Sequence, residues 1–325
     1  MHLSGDFIYL SDGALQDLGI APREVADAIE TALTQKAAGK VHTAPKTSII
    51  PGEGRYMMAT LSVGDGPGLT IVKVATVSPD NPLRALPSIN GAILAIDSQT
   101  GLLRGVLGAN WITAVRTAGL SVVAARRLAD PNARSVAFIG CGVQAQSHLR
   151  AFGDQFALSE VRAFGRGRAN VERLCKAASS MGLATKAPRT AEEAIRGADL
   201  VVTSVPLDYS IEPFLDAGWL KPGAFAAITD LAIPWLSETL GAFGTIVVDD
   251  KEQEAASAKP LVPADQVTGD LTELVTGDAR GFRDPERPTG FAFRGIALGD
   301  FATAALALER AEARGAGVRV GDVDA

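Results

Sequence analysis

Cysteine and histidine are scarce in this chain, and their scarcity closes off several kinds of chemistry. Its 325 residues include two cysteines, Cys141 and Cys175, and three histidines, His2, His42 and His148. Neither C-x-x-C nor H-E-x-x-H occurs, so no catalytic metal is expected. Two isolated thiols make no disulfide framework, which fits a reducing cytoplasmic setting. No apolar run reaches the roughly 18 residues of a membrane helix, and no secretory leader pattern is present. Blocks of like charge and interleaved basic and aromatic residues are missing too, and the net charge is only -6. Nucleic acid and membrane are therefore excluded as expected partners. What remains is an ordinary globular composition, 47% apolar and 21% charged, long enough for about two domains. A small molecule is the expected partner.

One stretch then stands out. From Arg134 to Ala145 an apolar run breaks into Gly140-x-Gly142-x-x-Ala145 and continues as a helical pattern. Gly140 allows a tight turn out of a strand, Gly142 lets backbone approach a pyrophosphate, and Ala145 is small enough for close helix–strand packing. The first amides of the helix, from Val143 onward, then face the phosphates. Further apolar strand candidates follow at Val161 to Phe164, Ala198 to Val205, Ala224 to Thr229 and Thr245 to Asp249, with helical stretches such as Ala169 to Met181 and Thr190 to Arg196 between them. This alternation predicts a Rossmann-type doubly wound parallel sheet, an α/β fold. The first 110 residues read differently. A strand at Phe7 to Leu10 and a helix from about Pro22 to Ala38 precede short runs at Tyr56 to Leu61, Leu69 to Thr76 and Gly91 to Asp97, separated by turn signals. That spacing predicts a meandering antiparallel or mixed sheet. Trp111 to Leu128 reads as a joining helix and Asp300 to Arg314 as a final helix with Asp300 at its start. The residues after Gly315 read as frayed.

The run Ile112-Thr-Ala-Val-Arg116-Thr117-Ala118, followed by Gly140-x-Gly142-x-Gln144-Ala145 and flanked by Lys73-Val-Ala-Thr-Val, Thr100-Gly101, Asp199-Leu-Val-Val-Thr, Lys221-Pro-Gly223 and Gly295-x-Ala297-x-x-Asp300, resembles the ornithine cyclodeaminase and mu-crystallin family over nearly the whole chain. The resemblance implies a homodimer. It also implies a smaller α+β substrate-binding and dimerisation domain from both chain ends (1–118 and 299–325), joined to a dinucleotide domain (119–298). The implied chemistry is hydride transfer between a nicotinamide and the alpha carbon of an amino acid or its imine. Three activities stay open: reduction of an imine or ketimine of a 2-oxo acid, as in a 1-pyrroline-2-carboxylate reductase or amino acid dehydrogenase; redox-neutral cyclodeamination of ornithine; and binding of a dinucleotide and ligand without turnover.

The resemblance also assigns residues. Arg116, whose planar fork suits a carboxylate, is the expected clamp, with Lys46 as a second contact and Gly295 allowing close approach of ligand. Lys73, on an alternating run that can turn it inward, is expected to bind the carboxylate or reacting atom and pass a proton. Asp230, at the carboxyl edge of the predicted sheet, is expected to stabilise an iminium and manage its proton. Thr117, Gly140, Gly142, Val143, Gln144, Ala145, Thr203 and Val205 are the expected dinucleotide contacts. About 25 residues past Gly140 the chain reads Phe164-Gly-Arg166-Gly-Arg168 with no carboxylate, so Arg166 or Arg168 favours the 2′-phosphate of NADP(H) over NAD(H). Arg55, near Met57-Met58, would repel a cationic substrate tail or else lie on the surface, a mild argument against ornithine. Cys141 reads as a small residue under the dinucleotide, and His148 as a packing residue.

Overall fold

The computed structural model describes residues 6–208, 210–277 and 279–321, with the side chains of 279 and 280 left aside. The chain divides into two units, Met1–Arg116 with Ile296–Ala325, and Thr117–Gly295.

The first unit begins with β1 (Phe7–Leu10), α1 (Asp12–Asp17) and α2 (Pro22–Ala37). Then come β2 (Val41–Thr43), β3 (Thr47–Gly52), β4 (Arg55–Gly64), β5 (Leu69–Val77), β6 (Ile89–Asp97) and β7 (Leu103–Gly108). Pro22 opens α2 where no intrahelical donor is needed, and the Glu24 carboxylate accepts from the Ala21 N–H at 2.8 Å. Strand β5 alternates: Leu69, Ile71, Lys73 and Ala75 are buried while Val74 is exposed, a period of two that fixes which face meets the helices. Helix α3 (Ala109–Leu128) then carries the chain into the second unit.

The second unit holds β8 (Ser135–Ile139), α4 (Val143–Gln155), β9 (Glu160–Phe164), α5 (Arg168–Ser180), β10 (Ala184–Lys186), α6 (Ala191–Ile195) and β11 (Leu200–Thr203). It continues with β12 (Phe225–Ile228), β13 (Thr245–Val248), α7 (Lys251–Ala255), β14 (Val267–Asp270), α8 (Leu271–Thr276) and β15 (Thr289–Ala292). Its strands pair in parallel in the order β10-β9-β8-β11-β12-β15-β13-β14. Residues of β8, β11, β12, β13 and β15 are buried throughout, as expected of a sheet covered on both faces. The winding reverses between β8 and β11, which sets their carboxyl ends side by side at the place where such sheets bind ligands. The predicted α/β, doubly wound parallel sheet is thus present.

The chain returns to the first unit with α9 (Ala297–Arg314) and β16 (Val318–Val320). There the sheet runs β16-β1-β7-β6-β5-β4-β2, with β3 on β4. The β1–β7 pair is parallel and the others antiparallel, so the mixed sheet is as read. Two expectations fail. Residues 316–321 are not frayed, since Gly315 and Gly317 both adopt positive φ and turn the chain so that Val318–Val320 pairs with β1, while 322–325 lie outside the described residues. Asp300 does not cap the last helix, because α9 starts three residues earlier and Ile296 stands at its N-cap. On the sheet face opposite the buried row, Tyr9, Val106, Leu94, Val72 and Leu61 are successive cross-strand partners, forming an apolar row across five strands. Tyr9, Leu94 and Leu61 of this row are exposed. Among the described residues no helix is long and apolar enough to cross a membrane.

Candidate functional site

In the second unit, Gly140 follows directly on β8 with φ +87°. A Cβ there would lie 2.5 Å from the Ser204 carbonyl oxygen, so only glycine permits the crossing of the two strand ends. Gly142 is the N-cap of α4 and offers no side-chain bond to the helix, while a Cβ built on it meets nothing within 4 Å. The first amides of α4, from Val143 to Ala145, belong to the helix's first turn, whose N–H groups have no partner within the helix and suit a pyrophosphate. Ala145 is fully buried, as close packing requires. These residues fit a dinucleotide.

The end of β9 is less simple than its sequence suggests. Arg166 is exposed in the loop, but Arg168 begins α5 and its Nε contacts Glu172 Oε1 at 2.7 Å, a pairing within its own helix. Asp208, from the loop after β11, lies near enough to feel the charge of Arg166. It is held below the ordinary carboxyl range by the Ser210 hydroxyl and amide, and further by the charge of Arg166.

Asp230 follows β12 and is wholly buried. Thr203 donates its hydroxyl to Oδ1 at 3.0 Å and the Val205 N–H donates to Oδ2 at 3.2 Å, while Trp235 Nε1 donates to the Thr203 oxygen at 3.3 Å. Burial pushes the Asp230 carboxyl up to about 7, against the lowering effect of those two donors. Leu231 and Ala232 behind it both take left-handed backbone, a strained turn of the kind that collects at functional sites. The Thr203 hydroxyl and Val205 amide are thus engaged by Asp230, so the two residues expected to touch a dinucleotide are first of all its partners. Gly295, with φ +97°, is clamped on both sides. Asp249 accepts from its N–H, and Gln253 donates to its carbonyl at 3.2 Å.

In the first unit, Lys73 and Arg116 meet. Lys73 Nζ lies 2.6 Å from Asp300 Oδ1, Arg116 Nε lies 3.0 Å from the same oxygen, and Thr60 donates to Oδ2 at 3.2 Å. Lys73 and Asp300 are each 1% exposed and Arg116 is 6%. Burial lowers the Lys73 ammonium to about 8, helped by repulsion from Arg116 and Lys46 and opposed by attraction to Asp300. Burial alone would raise Asp300, but Lys73, Arg116 and the Thr60 hydroxyl hold it below the ordinary range. Lys46 is half-buried between β2 and β3 and close enough for Lys73 to feel its charge. Asp300 is the member of this cluster that the sequence reading missed.

Other candidates settle elsewhere. Arg55 lies at the β3–β4 turn, its guanidinium 3.6 Å from Glu53, so its charge is partly answered and its case against a cationic substrate weakens. His148 is buried, with Nδ1 2.8 Å from the Gln144 carbonyl and Nε2 2.9 Å from the Ser121 hydroxyl. A carbonyl only accepts, so Nδ1 carries the hydrogen, and burial lowers the imidazole to about 4; it is a neutral packing group, as read. Burial pushes the Cys141 thiol up to about 12, which disfavours the thiolate. Among the described residues no three His, Cys, Asp or Glu side chains gather as a metal site, and His2 lies outside those residues.

Residues 17–315 match the sequence pattern of the ornithine cyclodeaminase/mu-crystallin family. The ketimine reductase mu-crystallin of Rattus norvegicus is 32% identical over 72% of this chain and 74% of its own. The Delta(1)-pyrroline-2-carboxylate reductase of Thermococcus litoralis, solved with NADH and L-proline, superposes with a TM-score of 0.86 at 25% identity, covering 97% of this chain and all of the other. An archaeal alanine dehydrogenase dimer with bound NAD gives 0.85 at 26% identity, over 97% and 99%.

Proposed function

The chain belongs to the ornithine cyclodeaminase/mu-crystallin family, and from that premise we propose that it reduces an imine of a 2-oxo acid to an L-amino acid. The observation that carries this reading is Asp230, a buried carboxyl poised near neutrality at the carboxyl edge of a parallel sheet that also bears the Gly140 turn. Gly140, Gly142, Val143, Gln144 and Ala145 would hold a dinucleotide, whose chemistry would be hydride transfer. Arg116 and Lys73, with Lys46, bind the substrate carboxylate as charge-assisted donors. Asp230 in its anionic form favours the protonated imine electrostatically, and its pKa near the working pH lets it hold or release that proton. Gly295, whose positive φ suits glycine, is held by Asp249 and Gln253. The test is consumption of NADPH or NADH with cyclic imines and with 2-oxo acids plus amines; inert protein on all of them sinks the proposal.

NADP(H) is the preferred dinucleotide in this reading, on the support of exposed Arg166, with Arg168 secondary because Glu172 holds it. The protein acts as a homodimer, supported by the apolar row from Tyr9 to Leu61, and its partner otherwise is a small amino or imino acid. A second reading, ornithine cyclodeamination, regains ground from the Arg55–Glu53 contact. It predicts ammonia release from ornithine with no net change in nicotinamide absorbance.

A further inference from the structure

We propose that Asp300 is the positioning residue for the substrate-carboxylate site: a single carboxylate oxygen from α9 holds Lys73 of β5 and Arg116 of α3 at one fixed spacing. The inference rests on the reading of Lys73 and Arg116 as substrate-carboxylate donors. Its geometric basis lies within the first unit alone. Lys73 Nζ at 2.6 Å and Arg116 Nε at 3.0 Å share Oδ1, so the two nitrogens stand no further apart than the sum of those distances. Charge-assisted contacts run about 2.7–2.9 Å, so two donors so close can serve one incoming carboxylate.

The other oxygen explains why the carboxylate itself does not swing. Thr60, directly opposite Lys73 in the β4–β5 register, donates to Oδ2, and Lys73 is further steadied by Thr113 Oγ1 at 3.4 Å. Side chains from β4, β5 and α3 thus converge on one buried acid of α9. A carboxylate in this place also keeps two like charges together that would otherwise separate, because cations drawn from water into a buried setting repel strongly unless an anion joins them. The charged groups facing Lys73 are Arg116, Asp300 and Lys46. Of these, Asp300 alone favours its protonated form.

The experiment uses the full chain with Asp300→Asn and Asp300→Glu, and reads two things. In ligand-free protein carrying carbon-labelled lysine, the Lys73 resonance, assigned through Lys73→Gln, is titrated against pH. With the imine substrate, KM and kcat are separated. In Asp300→Asn the Lys73 titration moves to lower pH by about one unit or more. KM for the carboxylate substrate rises roughly tenfold or more while kcat stays within a few-fold, because binding common to ground and transition states is lost. Asp300→Glu restores the charge and recovers part of both. A merely structural acid would reduce the folded, active fraction, lowering kcat without moving KM or the Lys73 titration.

Thr60→Val, which frees Oδ2 and leaves every charge in place, shifts both readouts the same way by less and serves if Asp300→Asn does not fold. Unmoved Lys73 titration and unmoved KM in the folded variant overturn the proposal. If Arg116→Ala leaves KM untouched as well, the substrate-carboxylate reading itself falls, whereas a KM effect of Arg116→Ala without one of Asp300→Asn removes only the positioning role.

Discussion

Replacing Asp230 by asparagine should make the protein more stable and nearly inactive, with the stability gain depending on pH in a defined way. The carboxyl is wholly buried and pushed up to about 7, whereas the ordinary value is 3.8. Between these values the folded protein binds a proton that the unfolded chain has released, so this group lowers stability as pH rises from about 4 to about 7, at up to about 1.4 kcal/mol per pH unit. Above about 7 both states are ionised and the penalty levels off at about 4 kcal/mol at most. Asparagine has no such proton. Its oxygen can accept from the Val205 N–H, and its amide can donate to the Thr203 oxygen, which also accepts from Trp235. The stability difference between Asp230→Asn and the parent, measured by urea unfolding over a pH series, should therefore widen from about pH 4 to 7 and then stay constant. Turnover should fall by about 100-fold or more, the usual scale for losing a general acid–base group. A stability difference independent of pH would refute the perturbed carboxyl, and unchanged turnover would remove Asp230 from the chemistry.

Gly140→Ala should abolish dinucleotide binding and cost about 1–3 kcal/mol, since its Cβ would press on the Ser204 carbonyl at a positive φ; titration of nicotinamide fluorescence and thermal unfolding report the two effects. Arg166→Ser should raise KM for NADPH by roughly tenfold and leave that for NADH nearly unchanged, with equal effects on both excluding a 2′-phosphate contact. Leu94→Glu, in the middle of the exposed apolar row, should yield monomers in sedimentation analysis, and persistence of a dimer would place the interface elsewhere.

Much of the site was legible because its signals are local. The Gly140 turn, the small Ala145 and the helix after them fall within a dozen residues, and the alternation of β5 turns Lys73 inward without reference to anything distant. Asp300 was misread for the opposite reason. An aspartate near a helix start usually caps it, yet here its partner Lys73 is 227 positions away. A usable signal was present: Asp300 lies between Ala297 and Ala304 on a face of α9 otherwise made of small and apolar residues, and an acid inside such a stripe needs a buried cation. Asp208 was hidden likewise, since the loop after β11 comes within range of the Arg166 charge only in the folded sheet. Strand β15 has four residues, of which Thr289 and Phe291 favour a strand while Gly290 and Ala292 do not, so the run is too short and mixed to read alone; it is fixed by its parallel neighbours β12 and β13. The short β16 depends in the same way on β1 and on two glycine turns.

The most direct test of the central claim is a stopped-time assay of the purified protein with the cyclic imine 1-pyrroline-2-carboxylate and either NADPH or NADH, following nicotinamide absorbance and the amino acid formed. Stoichiometric loss of reduced nicotinamide with appearance of L-proline, faster with NADPH and strongly weakened in Arg116→Ala, is the predicted result. No consumption of either dinucleotide with this imine or with 2-oxo acids plus amines, in protein that binds the dinucleotide, would contradict it.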